Sequence, residues 1–124
     1  MRAMVTGNLV RDPELKFTNS GKAVCGVSIA DNYKSAKDAE PEVTFIDVVV
    51  WGTLAENVAG SLKKGQRVFC EGRVKERKWE TQEGQKRTKL ELIADVMGPD
   101  LRWQSVIVDK AKAPSKPEFD EDPF

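Results

Sequence analysis

The sequence predicts an all-β domain with one short helix. Two observations indicate this class: apolar and polar residues alternate in several separate segments, and the repeat lengthens to a helical one in a single place. The chain has 124 residues, of which 40% are hydrophobic and 32% charged. This length and composition suit one globular domain with a short appendage.

Three strands precede the helix. They are predicted, in order, over residues 2–10, 23–31 and 44–51, and turn-forming residues separate the first two. The helix follows at once, because Leu54, Val58 and Leu62 recur at intervals of four and mark one face of a helix over residues 53–64. Gly65 is placed to end it.

Two strands follow the helix, over residues 66–75 and 88–97. A Glu-Gly pair at residues 83–84 marks the turn of the long charged hairpin that joins them. Further on, residues 104–109 alternate well enough to form a short extra C-terminal strand.

Three strands, a helix and two more strands is the chain order of the OB-fold, a five-stranded Greek-key barrel with a helix between strands three and four. We therefore expect an OB-fold domain with an extended β-hairpin over residues 1–110. Lysine, proline and acidic residues dominate residues 111–124, which are expected to be a disordered linker and acidic tail.

Several function classes are disfavoured by what the sequence lacks. It has no histidine, the commonest general base and metal ligand, and its two cysteines, Cys25 and Cys70, are far apart. No nucleophile elbow or phosphate-binding glycine loop is present. We expect neither an enzyme nor a metal or other cofactor, and reduced core thiols rather than a disulfide.

The sequence also predicts a cytoplasmic location. No apolar run approaches the roughly 20 residues that span a bilayer, and the N-terminal residues do not form a signal-peptide pattern. The formal net charge is zero, but residues 114–124 hold four acids and one lysine, which leaves 19 basic against 16 acidic residues elsewhere. An acidic tail on a mildly basic body keeps nucleic acid open as a partner.

The strand over residues 44–51 carries the first indication of function. Its core face is predicted to hold Thr44, Ile46, Val48 and Val50. On the other face Asp47 implies contact with water, yet Phe45 and Trp51 share that surface, roughly 20 Å apart along the strand. Exposed rings of this kind stack on nucleobases, at about 1–3 kcal/mol per base. Alternatively, this face packs beneath a loop or against another subunit.

The hairpin is rich in cations. Seven basic residues stand against three acidic ones there: Arg73, Lys75, Arg77, Lys78, Lys86, Arg87 and Lys89. A charge run is usually solvated surface, but Trp79 lies among these cations, where stacking on a base beside phosphate-binding groups gives it a role. The loop after the second strand repeats the pairing of an aromatic with a lysine at Tyr33 and Lys34.

The C-terminus adds a third indication. The chain ends in Asp120, Glu121, Asp122, Pro123 and Phe124. One interpretation is an acidic solubilising tail. The other is a peptide that a partner protein captures, because it offers an apolar anchor, a terminal carboxylate and acids for a basic rim.

Together these stretches resemble the bacterial single-stranded-DNA-binding protein (SSB) family. The matching residues are 7–14 (GNLVRDPE), 45–56 (FIDVVVWGTLAE), 62–65 (LKKG), 71–73 (EGR), 77–79 (RKW) and the acidic Pro-Phe end. The resemblance covers residues 3–97 and the final five, and its motifs are specific in combination. Residues 98–103 (GPDLRW) and the strand after them resemble the actinobacterial branch, in which an extra strand clamps the dimer.

The resemblance implies an OB-fold homotetramer, a dimer of dimers, that binds and protects single-stranded DNA without sequence preference in replication, recombination and repair. It implies base stacking on Phe45, Trp51 and Trp79, and DNA contacts from Lys64, Arg77 and Lys78. The tail, residues 120–124, would recruit replication and repair enzymes.

The sequence departs from the family at Asp47 and Thr53, where members often carry a basic residue, and its linker is short. The first departure implies weaker binding or an altered DNA path. An alternative function is an OB-fold adaptor in replication or in a primosome, whose main role is protein interaction.

Overall fold

The computed structural model describes residues 1–109, so the predicted linker and acidic tail, including Asp120, Glu121, Asp122, Pro123 and Phe124, lie outside the described residues. The described part contains, in order, β1 (Arg2–Leu9), β2 (Glu14–Phe17), β3 (Ala23–Tyr33), β4 (Glu42–Trp51), α1 (Gly52–Ser61), β5 (Arg67–Glu80) and β6 (Lys86–Pro99).

The strands form one sheet in the order β1-β5-β6-β4-β3-β2, which closes through a further pairing between β1 and β3. That closure joins Asn8 to Ala30 and Leu9 to Ile29. The contact between β4 and β6 is parallel, and the other described pairings are antiparallel. This ring of strands, with a helix between β4 and β5, has the topology of the OB-fold and confirms the predicted fold class.

The core lies inside the ring and beneath α1, where strand alternation sends the branched side chains. Its fully buried members include Cys25, Val27, Ile29, Val48, Val50, Ala55, Val68, Cys70 and Leu92. Both cysteines are free thiols, as predicted. Burial raises the pKa of the Cys70 thiol to about 11, because a thiolate inside the apolar core would lose its hydration.

Two elements differ from the sequence-based expectation. Strand β2 was not predicted; it forms because its four residues pair with the next strand, β3, from Glu14–Gly26 to Phe17–Ala23, and so short a segment shows no clear alternation in the sequence. Helix α1 begins and ends before the predicted bounds. It stops at Ser61 because the next residues form a turn, in which the Lys63 N–H donates to the Gln66 side chain and Gly65 adopts a φ of 88°.

The extra C-terminal strand is absent from the single chain. Residues 104–109 have no strand assignment, because none of the described strands pairs with them. The segment is nevertheless anchored at its start, where the Gln104 side chain donates to the carbonyls of Arg67 and Asp100 at 2.7 Å each.

A bulge in β6 bends the β5–β6 ribbon into the barrel. Glu71 pairs with Val96 and Gly72 with Ala94, which leaves Asp95 without a partner in the register. Gly72 is required here, because a Cβ at this position would collide with the carbonyl oxygen of Ile93. Among the helices of the described residues, none has the length and apolar character to cross a membrane.

Candidate nucleic-acid interface

The outward side of β4 carries the aromatics that the sequence singled out. Val48 and Val50 are fully buried, whereas Phe45 and Trp51, which point the other way, are 62% and 41% exposed. The predicted division of this strand is confirmed for Val48 and Val50, whereas Ile46 is half-buried and Thr44, which was also predicted to lie in the core, is exposed. Within residues 1–109, these exposures exclude packing of Phe45 and Trp51 beneath a loop.

The strand register extends this outward side across three neighbours. On β3, Val24, Gly26, Ser28 and Ala30 lie opposite Trp51, Val49, Asp47 and Phe45, respectively. On β6, Glu91 and Ile93 lie opposite Asp47 and Val49. On β5, Arg73, Lys75, Arg77 and Trp79 lie opposite Ile93, Glu91, Lys89 and Arg87. We call these outward residues of β3, β4, β6 and β5 the four-strand face.

Trp79 ends the four-strand face on the β5–β6 hairpin. Its ring is 39% exposed, and the Arg77 guanidinium lies 4.7 Å from the ring centroid. A cation at that distance over an indole is held by the ring quadrupole, which keeps a positive charge beside a stacking surface. Four predicted DNA-binding residues, Lys78, Trp79, Lys86 and Arg87, line one open cleft of about 440 Å³ here.

Trp51 lies at the opposite end of the four-strand face and also has a cation. The Lys22 ammonium is 5.7 Å from its ring centroid. Lys22 was missed by the sequence analysis because it belongs to the turn before β3 and stands alone among polar residues. The one feature that could have identified Lys22 is its position, two residues before Val24, which pairs with Trp51.

The middle of the four-strand face holds two acids. Asp47 and Glu91 are directly opposite on the parallel strands. The Asp47 carboxylate lies 2.6 Å from the Lys89 ammonium, and the Glu91 carboxylate lies 3.3 Å from Nε of Arg77. The centre of the face is thus occupied by two ion pairs, between cationic and aromatic ends.

Not every predicted DNA-binding residue lies on the four-strand face. Lys78 and Lys86 alternate with its members and point to the other side of the hairpin strands, opposite Thr88 and Glu80. Tyr33 lies opposite Glu42, on the side of β3 that carries the buried Ile29.

The remaining two predicted cations lie in connections between elements. Lys34 is exposed just beyond the end of β3. Lys64 follows α1 and is fixed by its backbone N–H, which donates to the Asp12 carboxylate at 2.7 Å.

A separate surface surrounds Trp103. Its ring contacts the guanidinium groups of Arg67 and Arg102, at 5.0 and 4.4 Å from the centroid, yet remains 67% exposed. Arg67 also bonds Asp100 at 2.9 Å. The Arg102 backbone N–H, which donates to the Asp100 carboxylate, and the Arg67 guanidinium hold the pKa of that carboxyl below its usual range. Apolar side chains are exposed nearby, notably Ile107 at 99%.

The chemistry available on the four-strand face is that of binding. It offers flat rings, cations and hydrocarbon. Over residues 1–109, no three histidine, cysteine or acidic side chains come together as metal ligands would.

Comparison with known proteins identifies the family. The model of the "Single-strand binding protein family" matches residues 1–100, which include every strand from β1 to β6. Curated relatives named "Single-stranded DNA-binding protein" include those of Paenarthrobacter nicotinovorans, 44% identical over 113 residues (87% of this chain and 66% of the relative), and Mycolicibacterium smegmatis, 44% over 112 residues (86% and 68%). The protein of that name from Corynebacterium glutamicum is 45% identical over 111 residues (86% and 49%).

These actinobacterial relatives agree with the branch that the sequence resembles. The chain spans between about half and two thirds of their length. Since the family model covers the complete barrel and the curated relatives match most of the chain, this protein belongs to the single-strand binding protein family.

Proposed function

We propose that the protein binds single-stranded DNA on the four-strand face, by stacking bases on Phe45, Trp51 and Trp79. The observation that carries the proposal is that three exposed rings from two hairpins share one continuous surface, with a cation over each tryptophan. Bases stack on the rings, and Lys22, Arg77 and their neighbours neutralise the phosphates.

The composition of the face supports binding without sequence preference. Every nucleobase has a π face, so stacking discriminates little between bases. Between the aromatic ends, Gly26, Val49 and Ile93 form one row across β3, β4 and β6 and offer no side-chain donors or acceptors to a base edge. Base-specific hydrogen bonds are therefore few along this row.

The function is protective. Bases stacked on protein cannot pair with a second strand, so the bound DNA stays single during replication, recombination and repair in the cytoplasm. The family consists of DNA-binding proteins and not of enzymes, in agreement with the sequence-based expectation.

The proposed assembly is a homotetramer, a dimer of dimers. It is supported by apolar side chains that the single chain leaves exposed: Met4, Val96, Leu101, Val106, Ile107 and Val108. Exposed apolar surface favours association. Residues 104–109 would then become a strand by pairing with a second copy, and light scattering with and without oligo-dT measures the assembly directly.

The tail is proposed to recruit replication and repair enzymes. Its support is chemical: Pro123 and Phe124 offer an apolar anchor beside three acids, Asp120, Glu121 and Asp122. Removal of residues 120–124 is expected to abolish binding to such a partner while oligo-dT binding persists.

Fluorescence titration with oligo-dT tests the stacking proposal. Binding should quench tryptophan emission, and Trp51→Ala and Trp79→Ala should each cost about 1–3 kcal/mol of affinity. Trp103→Ala is the matched control, because Trp103 lies outside the four-strand face. Its loss should leave base stacking on Trp51 and Trp79 intact. Unquenched emission on addition of excess oligo-dT would contradict stacking on Trp51 and Trp79.

One observation favours a second candidate, the OB-fold adaptor with protein interaction as its main role. Asp47 and Glu91 form ion pairs with Lys89 and Arg77 in the middle of the four-strand face. These ion pairs weaken the attraction of the face for DNA. The adaptor function predicts that loss of residues 120–124 abolishes activity in cells, whereas Trp51→Ala and Trp79→Ala have little effect. The opposite pattern supports DNA binding as the main role.

A further inference from the structure

The ion pairs in the middle of the four-strand face form an ordered array. Along one row of the sheet, Ser28, Asp47, Glu91 and Lys75 are successive neighbours on β3, β4, β6 and β5. Two carboxylates side by side on adjacent strands repel one another. Each is compensated by a cation that reaches it diagonally, Lys89 for Asp47 and Arg77 for Glu91.

The two ion pairs differ in the N–H groups that they leave free to bind a DNA phosphate. Arg77 bonds Glu91 through Nε and lies over the Trp79 ring, and its planar guanidinium retains further N–H groups for a phosphate. Lys89 is a compact ammonium, 2.6 Å from Asp47, with no second described partner. Its charge is compensated within the protein before any DNA arrives.

Other cations on the four-strand face form no ion pair within the described residues. In the described region, Arg73 and Lys75 have no salt-bridge partner, although they lie on the same side of β5 as Arg77. The face therefore contains both cations that are free for phosphates and one, Lys89, that is held by a carboxylate only 35% exposed. The Lys89 and Asp47 side chains are 48% and 35% exposed, so salt screens this pair less than a fully exposed one.

We propose that Asp47 is a built-in counterion that withholds Lys89 from the DNA backbone and thereby sets the affinity and salt dependence of binding. The proposal rests on the proposed function, DNA binding at the four-strand face. A phosphate gains Lys89 only by displacing Asp47, which leaves a carboxylate uncompensated beside Glu91 and beside the incoming DNA. Such an exchange gains no net neutralisation, so Lys89 is not counted among the cations that phosphates bind.

The consequence for salt dependence is quantitative. Each phosphate that a cation neutralises contributes a slope of about −0.7 in log affinity against log salt for single strands. Asp47→Asn should release Lys89 and steepen the slope by about 0.7. If the affinity at about 1 M salt is unchanged, this corresponds to a gain of about eightfold at about 50 mM salt.

The experiment measures oligo-dT affinity by fluorescence anisotropy over a series of salt concentrations for four proteins: wild type, Asp47→Asn, Lys89→Ala and the double variant. In the Asp47→Asn protein, Lys89→Ala should abolish the gain of about eightfold, so the double variant should return to the affinity and slope of the wild type. Lys89→Ala alone should weaken binding, because it leaves the Asp47 carboxylate uncompensated beside the DNA. Asp47→Ser is a second release variant, in case the asparagine oxygen still accepts a hydrogen bond from Lys89.

Asp31→Asn is the matched charge control. Asp31 is exposed on β3 but lies opposite Thr44, on the side of the strand away from the four-strand face. An equal gain for Asp31→Asn and Asp47→Asn would overturn the proposal, because net charge alone would explain both. A double variant whose slope is shallower than that of the wild type by about 0.7 would overturn it as well, because Lys89 would then already bind a phosphate in the wild type.

The outcomes separate the two proposals. If the wild type binds oligo-dT but Asp47→Asn or Asp47→Ser leaves the slope unchanged, the counterion role is wrong and DNA binding stands. If neither the wild type nor any variant binds oligo-dT, the proposed function fails, and the counterion role fails with it.

Discussion

The Lys22 ammonium lies 5.7 Å from the centroid of the Trp51 ring, although 29 positions separate the two residues in the chain. A base stacked on Trp51 would bring its phosphate near this cation. Lys22→Ala is therefore expected to weaken oligo-dT binding and to reduce the salt slope by about 0.7, in titrations at several salt concentrations. Lys22→Arg keeps the charge and should keep the slope; a slope that Lys22→Ala leaves unchanged would place the cation outside the DNA path.

Gly26 offers a test that separates binding from folding. It lies on the four-strand face opposite Val49, and an added Cβ would meet no atom within 4 Å. Gly26→Val should therefore fold with an unchanged or higher melting temperature, since valine suits a strand better than glycine. The new side chain stands where bases cross the sheet, so affinity should fall by about 1–3 kcal/mol, the contribution of one stacked base.

The control for Gly26→Val is Gly60→Ala. Gly60 is exposed on α1 and likewise has open space around an added Cβ. This change should raise stability by about 1 kcal/mol through helix propensity and leave DNA affinity as it was. Unaltered oligo-dT binding by a folded Gly26→Val protein would show that DNA does not cross β3 at this point.

A side chain at Gly72, unlike one at Gly26, should destabilise the fold. Because a Cβ there would collide with the Ile93 carbonyl oxygen, a backbone atom, Gly72→Ala should lower the free energy of unfolding by about 1–3 kcal/mol or more. Urea denaturation measures the change, and Gly26→Ala serves as the strand-glycine control with little loss. An unchanged midpoint would mean that the β5–β6 ribbon moves apart at the bulge without cost.

The buried thiols make a prediction about pH. In the folded protein the pKa of Cys70 is raised to about 11 from an ordinary value of 9.0, so the unfolded chain loses this proton first as pH rises. The free energy of unfolding contributed by Cys70 is then fully present below about pH 9 and declines as the pH rises toward 11. Denaturation at successive pH values measures the decline, which Cys70→Ala should reduce.

The same burial should make both thiols unreactive in the native state. At neutral pH a thiol reagent should label neither Cys25 nor Cys70 in the folded protein and both in denaturant, because each thiol is held protonated within the core. Rapid labelling without denaturant would indicate frequent opening of β3 or β5.

The sequence was sufficient to predict a strand and its two faces wherever apolar and polar residues alternate regularly. The alternation on β4 assigned Val48 and Val50 to the core and Phe45 and Trp51 to the surface, and the structure agrees. The same rule predicted β1, β3, β5 and β6. Each of these strands has one apolar side long enough to show its period.

What could not be predicted from the sequence depends on which segments pair with one another. Strand β2 has too few residues to show a period, and its existence follows from its register with β3. Lys22 reaches Trp51 only because Val24 pairs with that residue. Asp47 was identified as a departure from the family, but its partner Lys89 is set by the parallel contact between β4 and β6, which no local pattern encodes.

The parallel contact between β4 and β6 has a consequence for how the protein is made. It joins residues 47–49 to residues 91–93, so the binding surface is complete only after nearly the whole barrel has been synthesised. A nascent chain that ends before residue 91 carries Phe45 and Trp51 but lacks the β6 residues that complete the surface between them and Trp79. Once the barrel has formed, bound DNA stabilises the folded form by mass action, so DNA binding lowers the fraction of unfolded protein.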